Sequence, residues 1–396
     1  MTVTSGPALM IAGDEPVLAG PDFIAVKNPK RLPRRLAAQR VSLGEANDYK
    51  PSIGRLKDGD LLLVAFAQRK VADPGKISEY LITFRSNDGG RTWLPRIEDR
   101  AIFGREFFLT VLRDGTILMT NHILPQDINN EERGALQKGY WYSHIRRSAD
   151  GGRTWETHRI GKEDGFPPDG RSTATDRRAV ELPDGTVLLG VSSGPDGGLK
   201  TYMWRSKDSG KTWDKSTVCD FQGWRDIDGF FSNSETFRLL SGKLLHINRV
   251  DGSNHPIKGH PFPGRKGDDN TDRSILWESA DNGVTWRNPR DFGTYGEMYP
   301  QMLRLTDGRL LCDFTVRGLA YPIGIQATIS YDEGATWDFE HDRIIVESRT
   351  PKGQPSGGGY GNTIQLPDGT LVTCYSYRDD RGSTRLEVVR WRLPRR

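Results

Sequence analysis

Phenols, carboxylates and guanidinium groups recur in this 396-residue chain at constant offsets from six turn glycines, Gly59, Gly115, Gly185, Gly242, Gly308 and Gly369. Nine or ten residues before each glycine stand Tyr49 and Lys50, Arg105 and Glu106, Thr175 and Asp176, Ser232 and Asn233, Met298 and Tyr299, then Gly359 and Tyr360. Seven residues after the same glycines stand Phe66, His122, Ser192, Arg249, Thr315 and Ser376. A carboxyl or an imidazole can move a proton, a phenol with a base beside it can act as a nucleophile, and a planar guanidinium can grip a carboxylate with two parallel bonds. If one end of one cavity gathers these positions, they form a binding pocket for a small, preferably anionic, molecule.

The elements that must do the gathering are short strands. Each turn glycine follows a phrase such as KDGDLLL from Lys57 or PDGTVLL from Pro183 and leads into an apolar, β-branched-rich run, the pattern of a hairpin. Successive glycines lie 56, 70, 57, 66 and 61 residues apart. A second phrase, Ser-x-Asp-x-Gly-x-Thr-Trp, starts at Ser86, Ser148, Ser206, Ser279 and Ser330. Its Asp and Gly make a tight turn and its Trp fills an apolar gap between repeats, so it is structural and not catalytic. Six hairpins with five such boxes predict an all-β fold, a six-bladed β-propeller spanning residues 1–396 as one domain. The sixth hairpin lacks a box and the chain ends in the strand-like STRLEVVRWRL from Ser383. Residues 1–40 are therefore assigned to an N-terminal segment and a ring-closing strand, with DFIAVKN from Asp22 as the candidate to complete the last blade. In such a ring the innermost strand of each blade leads into the hairpin, which brings the positions named above to the mouth of the central channel.

Composition narrows the function classes. The formal net charge of +4 is spread along the chain, which argues for a small anionic substrate and against nucleic acid. The one dense basic run, KRLPRRLAAQR from Lys30, reads as a solvated segment ahead of the first blade. No stretch of about 18 apolar residues is present, so no membrane span is expected. The opening residues lack a basic start followed by an apolar run, which points to the cytoplasm, with export after loss of a leader kept open. Three cysteines, Cys219, Cys312 and Cys374, read as buried free thiols. No spacing of His, Cys, Asp or Glu implies a metal site, and no cofactor is implied.

Boxes and hairpins in register over nearly the full length resemble the sialidase (neuraminidase) superfamily. That resemblance implies a tyrosine nucleophile paired with a glutamate, an aspartate acid/base and three arginines around a substrate carboxylate. GYGNTIQLPDG places Tyr360 at the nucleophile's position, and AQRKVADPGKISEY offers Asp73 as the acid/base on the loop before the first box. LSGKLLHINR supplies Arg249 as one clasping arginine, and TVRGLAYPIG supplies Arg317 as another. The family's first arginine is replaced, because the chain reads Tyr49-Lys50-Pro51-Ser52 there, and the glutamate that braces it is replaced by Ser376. The nucleophile's glutamate is also out of register: Asn233 stands at its position and Glu235 two residues on, which makes Glu235 the candidate base. Arg69, Tyr49, Lys50, Asp176 and His122 complete the expected substrate-facing set, with Arg69 placed to pair with Asp73.

Three readings follow. The first is a retaining exo-glycoside hydrolase of sialidase type on a terminal acidic sugar, with Asp73, Tyr360 and Glu235 doing the chemistry. The second is a lyase on a uronate-containing glycan, in which His122 or a tyrosine removes the proton beside the carboxylate. The third is a carbohydrate-binding propeller without turnover. The paired loss of an arginine and its carboxylate partner points to an altered pocket, since an unpaired buried charge is costly and the two are best lost together.

Overall fold

The computed structural model describes residues 17–131, 139–164, 172–193, 201–223, 231, 233–253, 256–268, 270–317, 322–351 and 358–394. Ser232 lies outside them. Among the described residues the fold is all-β, with a single short helical turn at Lys162–Asp164.

All six turn phrases fold alike. Leu56, Leu112, Leu182, Leu239, Leu305 and Leu366 each donate a backbone bond to the residue four further on and accept one from the turn glycine, at 2.7–3.0 Å. The glycine takes a positive φ, 98° at Gly59, where a side chain would be strained. The strand after the turn is buried on both faces, as in Leu61–Lys70 and Val187–Ser193, because apolar layers cover it from either side.

The strands form antiparallel groups of four. The first comprises Asp48–Arg55, Leu61–Lys70, Ile77–Ser86 and Ile97–Phe103, and the second Arg105–Val111, Ile117–Ile123, Tyr142–Ser148 and Glu156–Arg159. In the third, Thr173–Thr175 and Val180–Glu181 both pair with Val187–Ser193, which pairs with Thr201–Ser206. The fourth runs Glu235–Arg238, Leu244–Val250, Arg273–Ser279 and Thr285–Phe292, with Asp220–Phe221 alongside in parallel. A nine-stranded sheet holds the rest: Glu297–Arg304, Leu310–Val316, Gly324–Ser330 and Arg343–Ile345 at one end, Gly359–Gln365, Leu371–Arg378 and Thr384–Trp391 at the other.

The two ends of that sheet are joined by N-terminal strands, and here the expectation needs correcting. Phe23–Lys27, the segment from Asp22, extends the outer edge beside Arg343–Ile345. The strand that completes the final group is Arg35–Leu43, paired with Thr384–Trp391 and drawn from the basic run expected to be a solvated segment. Alternation leaves Arg35 exposed and Leu36 buried, and Arg40, on the same face as Leu36, reaches inward to an ion pair with Glu387 at 3.3 Å.

The first strands of the groups pack on one another around a common axis. Asp48–Arg55 lies between Arg105–Val111 and Gly359–Gln365, and Glu297–Arg304 between Gly359–Gln365 and Glu235–Arg238. Side chains stitch these neighbours together: Asn362 exchanges two bonds with the Ile53 backbone at 2.8 and 2.9 Å, and Ser52 Oγ accepts from Leu109 N at 3.1 Å. Between groups lie apolar layers, for example Leu61, Leu63, Ile82, Val372, Cys374 and Val388. The three cysteines are buried free thiols.

The boxes are closed local units. In each, Ser Oγ accepts from the Gly N–H and donates to the Asp, whose carboxylate then accepts from the Thr backbone and hydroxyl; for Ser206, Asp208 and Thr212 these bonds span 2.6–2.9 Å. The Thr212 hydroxyl and amide hold the Asp208 carboxyl down at about 2. Trp286 of the fourth box is fully buried and the other four are partly so. No helix among the described residues is long and apolar enough to cross a membrane.

Candidate functional site

A repeated backbone defect aims the site. The pairing of the first strand slips between Tyr49 and Ser52, Arg105 and Phe108, Met298 and Gln301, and Gly359 and Asn362. Within each slip one non-glycine residue adopts the left-handed region: Lys50 at φ 44°, Glu106 at 57°, Tyr299 at 58° and Tyr360 at 52°, with Asn233 at 51° opening the fourth group. A β-bulge re-aims a side chain, and a left-handed tyrosine or glutamate costs roughly 1–2 kcal/mol that the packed ring must supply. The second residue of each expected pair is thus the one turned towards its counterparts.

These residues meet. The rings of Tyr299 and Tyr360 lie 4.8 Å apart, tilted by 50°, with Met298 beside them. The Tyr299 hydroxyl accepts from Arg249 Nη1 at 2.6 Å and from Arg317 Nη1 at 3.2 Å. Arg249 is braced from its other edge by Asp272, through Nε at 2.6 Å and Nη2 at 2.5 Å. Lys50 is ion-paired with Glu106, and its Nζ stands 4.2 Å from the Tyr360 ring centre, with the Arg317 guanidinium 5.7 Å from the same ring. Tyr360 is anchored by its own N–H, which donates to Thr315 Oγ1 at 2.8 Å.

Burial dominates the electrostatics. It lowers the Lys50 ammonium pKa and raises that of the Tyr299 phenol. Burial also acts to raise the Glu106 carboxyl, but the charges of Lys50 and Arg177 hold it well below the ordinary range. His122 is pushed down to about 4 by burial, so it is neutral at neutral pH.

A cavity of about 250 Å³ opens beside the phenols, lined by Glu106, His122, Trp141, Ser143, Arg177 and Asn233 among others. Its size is near the lower end of small-molecule sites, roughly 300 Å³ upward. Arg177 is 2% exposed and sandwiched between Phe108 and Tyr299, with its guanidinium carbon 4.5 Å from each ring centre. One edge donates to the Tyr299 carbonyl at 3.4 Å, while Nε and Nη2 have no hydrogen-bond partner among the described residues. Orphaned guanidinium donors are uncommon in a folded interior. The constant offset pointed to Asp176. The third group lacks the bulge, its first strand is broken between Thr175 and Val180, and Arg177 joins Asp176 on the cavity wall. A break in strand pairing leaves no signature in spacing, which is why sequence reading missed Arg177.

Asp176 itself is pinned in the interior by Ser234 and by Thr236 Oγ1 at 2.6 Å, and burial raises its carboxyl to about 7. With an unfolded value near 3.9, the native state holds the extra proton between about pH 4 and 7, so this group takes stability away as the pH rises through that window. Asp176→Asn should flatten the decline in urea stability between pH 5 and 7.5; an unchanged slope would remove Asp176 from the linkage.

Of the remaining expected residues, Glu235 is corrected most. Its carboxylate is bound by Arg178, including Nε at 3.3 Å, and no contact joins it to Tyr360, because it points two residues deeper along its strand. Tyr49, in the place of the family's first arginine, is stacked on Phe66 at 5.3 Å and 12°. Arg69 pairs with Glu45 at 3.2 Å and Asp48 at 3.4 Å, not with Asp73. Asp73 lies exposed on the loop between Leu61–Lys70 and Ile77–Ser86, where its carbonyl accepts from Lys76 N at 3.2 Å. The structure therefore brings Tyr360, Lys50, Arg249 and Arg317 together, adds Tyr299, Glu106 and Arg177, places His122 on the adjoining cavity, and leaves Asp73 on the surface.

Comparison with known proteins agrees with this architecture. The BNR repeat-like domain family matches residues 31–312. No curated protein sequence matches the chain. Among solved structures, a protein of unknown function from Dyadobacter fermentans DSM 18053 is 18% identical, with a TM-score of 0.64 over 94% of this chain and 98% of its own. The GH93 α-L-arabinofuranosidase of Fusarium graminearum, in complex with arabinobiose, is 14% identical, with a TM-score of 0.59 over 93% and 97%. The sialidase of Trypanosoma rangeli, in complex with 2,3-difluorosialic acid as a covalent intermediate, is 16% identical, with a TM-score of 0.55 over 89% of this chain and 58% of its own. At these identities the likeness is one of fold, and with the family match over most of its length the chain belongs to the BNR repeat-like domain family.

Proposed function

We propose that this chain is a single-domain six-bladed propeller acting as a retaining exo-glycoside hydrolase on a terminal acidic sugar. The blade count treats the nine-stranded sheet as two blades bridged by Phe23–Lys27. The observation that carries the functional reading is the convergence of Tyr360 with Lys50, Arg249, Arg317 and Arg177 at one mouth of the ring. So many cations beside the ring attract an anionic sugar. The Tyr360 oxygen bonds to the anomeric carbon as the glycosidic bond breaks, Asp73 on its loop gives its proton to the leaving oxygen, and the phenolic proton is relayed through the Lys50 ammonium, which gives one proton to its ion-pair partner Glu106 as it takes one from the phenol. Water then replaces the tyrosyl oxygen, Asp73 takes the water's proton, and the relay returns the phenolic proton to Tyr360. That neighbours in fold cleave glycosides, the arabinofuranosidase and the sialidase among them, supports this class of chemistry. The test is a panel of aryl glycosides containing a sialoside, a glucuronide, a rhamnoside and an arabinofuranoside. Release of the aryl alcohol from an acidic member above all others is expected, and no release from any member would sink the hydrolase.

A second reading, a lyase on a uronate-containing glycan, is favoured by one feature: His122 is neutral and lines the same cavity as Arg177. There the imidazole would remove the proton beside a carboxylate held by the guanidinium. It predicts an unsaturated, ultraviolet-absorbing product that the hydrolase cannot make.

A further inference from the structure

The two guanidinium groups assigned above to the substrate carboxylate point at an internal phenol. Arg249 offers Nε and Nη2 to Asp272 and turns Nη1 onto the Tyr299 hydroxyl at 2.6 Å, and Arg317 meets the same oxygen at 3.2 Å. Tyr299 is held where it is without those bonds: its backbone sits in the bulge at φ 58°, its ring lies against Tyr360, and Arg177 covers it at 4.5 Å. Arg249 is likewise oriented by Asp272, so the phenol oxygen is not needed to set the guanidinium in place. What that oxygen does is occupy the point where the donors of two arginines converge, the place a carboxylate oxygen would take.

We propose that Tyr299 is a specificity-determining residue, an internal occupant of the arginine clasp with which an acidic sugar must compete. The inference rests on the reading of Arg249 and Arg317 as the carboxylate clasp. A carboxylate outbids a neutral phenol for guanidinium donors, because charge-assisted bonds are roughly twice as strong. The phenol nevertheless subtracts its own bonds from the gain, and discrimination between ligands is a difference of this kind. Sugars without a carboxylate displace nothing from the clasp and are not penalised. Tyr299 therefore tempers affinity for acidic sugars relative to neutral ones on the same site.

The variant Tyr299→Phe keeps the ring, the stack on Tyr360 and the contact with Arg177 while deleting the competing oxygen. Calorimetric titration of the full chain with N-acetylneuraminic acid and glucuronic acid as acidic probes, and glucose as the neutral one, reads the effect without requiring turnover. Kd for an acidic probe should fall about tenfold in the variant, as loss of a competing bond to a charged donor implies, with glucose unchanged. If wild type binds neither acid measurably, the variant should acquire binding. Unchanged or weakened acid binding in Tyr299→Phe overturns the proposal, and weakened binding would make Tyr299 a positioning residue for the arginines. Gain of affinity cannot come from misfolding, and turnover of a glycoside with no gain in the variant would sink this inference alone, leaving the hydrolase standing.

Discussion

Tyr360→Phe lowers turnover of whichever aryl glycoside the protein cleaves by about a thousandfold or more, and leaves KM within about threefold of wild type. Deleting one oxygen removes the atom assigned to the anomeric carbon and nothing else: the ring remains against Tyr299 at 4.8 Å and beneath Lys50 at 4.2 Å, and the anchoring bond to Thr315 Oγ1 comes from the Tyr360 backbone N–H, which the substitution leaves untouched. Loss of a group that acts only in the transition state falls on kcat, whereas loss of a ground-state contact falls on KM, so steady-state kinetics separate a nucleophile from a binder. The size follows from the covalent step itself, since removal of a nucleophile costs as much as removal of the machinery that activates it. A fluorinated glycosyl probe gives an independent reading by mass spectrometry: the wild-type chain is labelled on the peptide carrying Tyr360 and the variant is not. A rate within tenfold of wild type would show that the phenol is a bystander, and the cations around it would then belong to binding alone.

What could be read in the sequence was what is built from neighbours along the chain. The box from Ser206 is closed by bonds between residues no more than four apart, and each hairpin by bonds between a leucine and the residue four further on, so their spelling survives as a recognisable phrase. The ring of facing positions followed from those phrases because a strand of constant length delivers its start to a constant place. The bulge falls at Lys50, Glu106, Tyr299 and Tyr360, whereas in the third group pairing breaks and Arg177 lines the cavity beside Asp176. Contacts between segments that meet only on folding could not be read at all. That Arg69 prefers Asp48 to Asp73, or that Arg35–Leu43 and not the strand before it closes the last group, is decided by which surfaces meet after folding. The basic run misled for a similar reason: alternation of side chains in a strand lets arginines and buried leucines share one segment, and charge density averaged along the run hides that period.

Glu235 and Arg178 are the sharpest case, and the second large effect is expected there. Arg178 grips the Glu235 carboxylate and donates to the Met302 carbonyl at 2.8 Å, in an interior where Glu235 is 1% exposed. Burial already raises the Glu235 carboxyl and Arg178 counters it. Arg178→Met leaves the carboxylate without its partner, at a cost of about 3–5 kcal/mol in urea unfolding at pH 8. The native pKa of Glu235 then lies further above its unfolded value, so the native state binds the extra proton and the loss should be smaller at pH 5 than at pH 8. Adding Glu235→Gln removes the charge and should return most of the stability. If the pair is structural, that double variant, once refolded, turns over substrate within about tenfold of wild type, whereas Tyr360→Phe does not. A double variant that is stable and as inactive as Tyr360→Phe would put Glu235 back beside the phenol as its base and require Arg178 to release it during the reaction.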